Sequence, residues 1–126
     1  MNPQINWFIP NFLYDQMDGT DVLCDENHKL YIFLINNIQY SDEVSKSKII
    51  EKLKTQIDED INESTELFKS SNYYTALEFD KSEDCYSCFG FKIGINSILK
   101  FAASANNEIC LQKLKEAIKG LQEIEL

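Results

Sequence analysis

Two apolar stretches, Tyr73 to Phe79 and Cys85 to Ile93, flank a short charged segment, Asp80 to Asp84. Apolar residues alternate along both stretches at the period of a half-buried strand, and the segment between them has turn composition. This pair constrains the fold more than any other feature. An isolated hairpin is marginal in water, so it demands further strands or helices to cover its apolar face.

Candidates for that cover lie on both sides. Ile5 to Tyr14 is aromatic-rich and reads as an extended segment broken at Pro10. Asp15 to Asp21 reads as a turn in which Gly19 takes positive φ. Val22 to Cys24 reads as a short strand, and Lys29 to Ile35 as a longer buried one. Asn36-Asn37 reads as the close of a hairpin into Ile38–Tyr40. Apolar residues at Ile50, Leu53, Ile57, Ile61 and Phe68 follow helical spacing and predict one helix over 44–69, or two broken near Asp58 to Asn62. Ser41 or Ser45 would cap its start. Gly90 marks a bulge and Gly94 a strand exit. A short helix is predicted over 95–104, and a final one over 107–123 that begins at Asn106 or Asn107 and carries Cys110 on its apolar stripe. The fold class expected is α+β: one domain over 1–126, a small mostly antiparallel sheet with a single layer of helices on one face.

Charge narrows the chemistry. The chain has 21 Asp plus Glu against 12 basic residues, every one of them Lys, and its single His is His28. Arg is the bidentate clamp for phosphates, and His is the usual proton carrier near neutral pH. A chain without the first and with one copy of the second is poorly equipped to bind nucleic acid or to run acid–base catalysis. Its net charge of −9 suits a positive partner instead. The longest apolar run, Leu30 to Ile35, falls far short of the roughly 18 residues of a membrane span. No secretory signal is visible, so a cytoplasmic location and reduced thiols are expected.

Cys85-Tyr86-Ser87-Cys88 has the spacing of a redox or zinc pair. Followed by a strand pattern rather than a helix, it does not match a thioredoxin-like site. A zinc site would need Cys24 and His28 as further ligands. The plainer reading is four cysteines acting as small hydrophobes, with no metal and no cofactor. His28 reads as an exposed turn residue, and the Asp15, Asp18, Asp21 spacing does not match a calcium loop. No catalytic residue is assigned.

Two acidic clusters contain no Lys: Asp15, Asp18, Asp21, Asp25 and Glu26, and Asp58, Glu59, Asp60, Glu63 and Glu66. A third run, Glu78 to Asp84, has only Lys81 against it. Residues 1–63 hold 12 acids and 5 lysines, whereas residues 64–126 hold 9 and 7. The first two clusters are therefore the expected partner-binding residues, with 58–66 favoured because a helix presents charge rigidly.

A small, acidic, single-domain chain without catalytic signature resembles, in general character, the immunity proteins of bacterial polymorphic toxin systems, including contact-dependent growth inhibition. The resemblance is spread over the whole chain and transfers no residue role. It implies a stoichiometric inhibitor of one cognate toxin, expected to be a basic nuclease, with no nucleic-acid or membrane partner. Two other readings fit the composition: a phage or mobile-element anti-defence protein that mimics nucleic acid, and a small cysteine-dependent zinc or redox protein.

Overall fold

Asp18 and Gly19 both adopt positive φ, 53° and 82°, with Met17 opposite Thr20. This is the two-residue turn that Asp-Gly sequences favour, because its twist matches that of the strands it joins. It links strand β2 (Leu13–Met17) to β3 (Thr20–Cys24) in a computed structural model that describes residues 6–82, 84–106 and 111–124. Strand continues closer to the turn than composition suggested, so Asp15 and Asp21 are strand residues.

The other main strands are β4 (Leu30–Gln39), β5 (Glu66–Lys69), β6 (Tyr73–Asp80), β7 (Cys85–Ile93) and β8 (Ser97–Asn106). They complete a seven-stranded, wholly antiparallel sheet in the order β2-β3-β4-β8-β7-β6-β5. Two-residue strands β1 (Trp7–Phe8) and β9 (Gln122–Glu123) form a separate ribbon. Helix α1 (Glu43–Asp60) follows β4, and α2 (Leu111–Gly120) precedes β9. The α+β class and the 73–93 hairpin are as expected.

The helices, expected in one layer, are divided between the two faces. Adjacent residues of β6 show it: Tyr73 belongs to the core beneath α2, and Tyr74 to the core beneath α1. On the α2 face, Leu114, Ala117 and Ile118 pack with Trp7, Leu23, Ile32, Leu34, Leu99 and Phe101. On the α1 face, Leu53 and Ile57 pack on Tyr74, Ala76, Phe91 and Ile98.

Four local expectations are corrected. Residues 97–106 form a central strand, not a helix. Ile98 and Leu99, both fully buried, point to opposite faces, so the alternation that marks a half-exposed strand is missing. Asn36-Asn37 makes no turn. The register slips between Leu34 and Asn36, and this bulge swaps the faces beyond it: Asn37 accepts a hydrogen bond from Trp7 Nε1 at 3.0 Å on the α2 side, while Ile38 joins the α1 core. Helix α1 stops at Asp60, so Leu67 and Phe68 belong to β5. Gly90 sits in an unbroken register opposite Thr75, where a Cβ would lie 2.3 Å from the Tyr74 carbonyl oxygen. It serves close strand approach rather than a bulge. The start expected for the last helix falls on 107–110, outside the described residues, as does Cys110.

Candidate partner-binding surface

Helix α1 begins at Asp42, whose carboxylate accepts the Ser45 N–H at 2.7 Å and is thereby held below its usual pKa. Its apolar stripe anchors it over β6 and β7. It does not extend over the β2-β3-β4 half of the same face, where Val22 and Cys24 are buried but their larger neighbours stay partly exposed.

The strand register shows what occupies that half. One row crosses the sheet as Asp15, Val22, Phe33, Ala102 and Phe89; the next as Leu13, Cys24, Tyr31, Ser104 and Ser87. Successive rows two residues apart share a face, and Phe89 places these on the α1 side. Leu13 and Ile35 are each 50% exposed and Met17 43%. Tyr31 and Phe33 stack half-buried with ring centroids 6.3 Å apart. The result is an apolar shelf. Where it meets α1, Gln56, Glu59, Asp60, Phe89 and Lys100 contribute to the walls of an open cleft of about 330 Å³.

Carboxylates border the shelf on two sides, Asp15 on β2 and Glu59 with Asp60 on α1. The last turn of α1 carries three acids and no base. A helix C-terminus is the negative end of its dipole, where cations are favoured and anions are not. Asp58 accepts a hydrogen bond from Tyr74 Oη at 2.6 Å, the main cause of that phenol's raised pKa. Glu59 and Asp60 make neither hydrogen bond nor ion pair among the described residues, and Lys100 in the same cleft does not close on them.

The remaining acids of the two clusters are dispersed. Asp18 sits exposed at the tip of the β2–β3 turn. Asp21 is 5% exposed on the opposite face and accepts from Tyr14 Oη at 2.6 Å and Gln16 Nε2 at 3.2 Å. The first of these bonds is the main reason the Tyr14 pKa rises to about 12. Asp25 accepts the Lys29 and Leu30 N–H groups at 2.7 and 3.0 Å and organises the turn before β4. Glu26 is exposed in that turn and lines a different cleft, beside α2. Glu63 is exposed in the loop after α1, and Glu66 pairs with Lys115 at 2.6 Å. Neither cluster is one rigid face. The α1 face of the sheet takes Asp15 from one and Glu59 and Asp60 from the other, at opposite ends of the shelf. Leu13, Met17, Ile35 and Phe33 complete it, and sequence reading missed them; the exposed-apolar pair Leu13 and Met17 flanking Asp15 was the available signal.

Cys85 and Cys88 are three apart in β7 and therefore point to opposite faces, so they cannot clasp one ion or close a disulfide with each other. Burial pushes the Cys88 thiol up to about 12 and also raises that of Cys24. Cys24 Sγ lies 3.7 Å from His28 Nδ1. Among the described residues, no three His, Cys, Asp or Glu side chains converge on a metal-sized site, and no helix is long and apolar enough to cross a membrane. No family model, curated protein or solved structure matches the chain.

Proposed function

We propose that this protein is a non-catalytic inhibitor of the immunity type, which binds a cognate basic toxin domain 1:1 through the shelf beside α1. A nuclease is the expected toxin, since its substrate cleft is built for a polyanion, and the cytoplasm the expected place of action. One observation carries the reading: Glu59 and Asp60 stand unpaired at the negative end of a helix, beside an exposed apolar face. That arrangement costs stability in the free protein and is relieved by a partner's Lys or Arg. Apolar shelf and charged rim together match the anatomy of protein interfaces, where desolvated anchors hold and rim charges steer. An apolar floor favours a protein partner over mimicry of a phosphate backbone. The suppressed Cys24 and Cys88 thiols support a non-catalytic role.

The test co-expresses the protein with a toxin domain encoded beside it and reads growth protection and complex stoichiometry. A 1:1 complex is expected, with association slowed by salt, because screening limits surface charge to roughly 8 Å at physiological ionic strength. Combining Asp15→Asn, Glu59→Gln and Asp60→Asn slows association; Asp18→Asn with Glu26→Gln does not. Equal binding and protection by both variants at low and high salt sinks the proposal.

A further inference from the structure

Each end of the sheet exposes an edge strand, and the two are built differently. Strand β5 is four residues long with Glu66 and Lys69 at its ends, and short charged strands resist pairing. Strand β2, Leu13-Tyr14-Asp15-Gln16-Met17, contains no Lys, Pro or bulge. A two-residue hairpin makes Met17–Thr20 a hydrogen-bonded pair, so Asp15–Val22 and Leu13–Cys24 are also bonded pairs. Tyr14 and Gln16 therefore aim their backbone N–H and C=O groups away from β3. The Gln16 N–H is held only by the neighbouring Asp15 carboxylate, at 2.8 Å.

We infer that β2 accepts an extended segment of the basic partner as an added antiparallel strand, bonded to the Tyr14 and Gln16 backbone. This rests on the shelf reading above. Side-chain positions specify the occupant. A residue opposite Asp15 stands on the shelf side with its Cβ about 5 Å from that of Asp15, so a Lys or Arg there meets the carboxylate. Residues two positions to either side lie over Leu13 and Met17, and apolar ones cover them. The pattern is apolar-x-Lys/Arg-x-apolar. A second copy of this chain fits poorly. The register that covers both Leu13 and Met17 sets Asp15 against Asp15, and a shifted one presses the carboxylate on Leu13 or Met17.

The probe is the synthetic peptide Thr-Val-Thr-Lys-Thr-Val-Thr, titrated into the ¹³C,¹⁵N-labelled full chain. Expected are shifts centred on the Tyr14 and Gln16 amides and slower hydrogen exchange at both. A peptide N-methylated at its strand-facing amides binds about tenfold more weakly, and so does one with Glu in place of Lys. Gln16→Pro, at a position whose N–H is outside the ladder, abolishes the effect while retaining the parent's circular dichroism. Absence of Tyr14 and Gln16 shifts overturns the inference. Shifts confined to the Leu13, Met17 and Ile35 methyls and indifferent to N-methylation overturn the strand pairing yet leave the shelf reading standing.

Discussion

One sheet carries two differently finished faces. On the α2 side, α2 and the N-terminal Trp7–Ile9 segment close over strands from β3 to β6, and Ile32, Leu34 and Phe101 beneath them are at 1% exposure or less. On the α1 side, a longer helix covers only β6, β7 and the ends of β4 and β8, leaving apolar residues half in water. The contrast is one of burial. Burial on the first face supplies folding free energy, at about 25 cal/mol per Å² of apolar area. The exposed residues of the second forgo that contribution, and under the proposed function they serve association, where a few desolvated anchors dominate affinity.

Substitutions test whether that division is real. Phe101→Ala on the closed face is expected to cost about 4 kcal/mol by chemical denaturation, because packing beneath α2 leaves a cavity. Gly90→Ala, which drives a Cβ into the Tyr74–Thr75 backbone, is expected to cost about 3 kcal/mol. The cysteine pair divides in the same way: Cys88→Ser, buried on the α2 side, costs about 1 kcal/mol, while half-exposed Cys85→Ser stays within about 0.5 kcal/mol. Thiol labelling of the native protein should follow suit, with Cys85 reacting before Cys88. Leu13→Ala and Met17→Ala on the open face should each cost under about 0.5 kcal/mol yet weaken partner binding. A loss of stability there as large as at Phe101 would erase the contrast between the faces.

The closed face also carries a pH slope. Lys92, 5% exposed on the α2 face, donates to the Ile118 and Lys119 carbonyls at 2.8 and 2.7 Å and caps the C-terminus of α2. Burial lowers its pKa from 10.5 to about 8. Between those values the unfolded chain holds a proton that the folded one has released, so stability rises with pH across that window. Below about pH 8 the folded state bears the cost of the buried charge in full. Denaturation midpoints of the parent and Lys92→Met from about pH 7 to about pH 10 check this: the parent's relative gain should vanish in the variant.

The amino-acid sequence by itself determined the fold class, the 73–93 hairpin, the Asp-Gly turn residue Gly19, and helices around Leu53–Ile57 and Leu114–Ile118. Each of these rests on local periodicity or turn chemistry, which needs no knowledge of distant residues. The tertiary structure alone decided that Ser97–Asn106 is a strand. Its Ala-rich run favours helix locally, but pairing with both β4 and β7 overrides so weak a propensity. Only the fold revealed the bulge at Ile35, since the slip serves the distant Trp7 and Ile57 rather than any local pattern. The acidic clusters show the same limit. Charge is legible as composition, yet residues 15 and 59–60 come to share one face of the sheet, and Asp21, Asp25 and Glu66 leave it, because strand pairing and helix placement join positions that sequence order keeps apart.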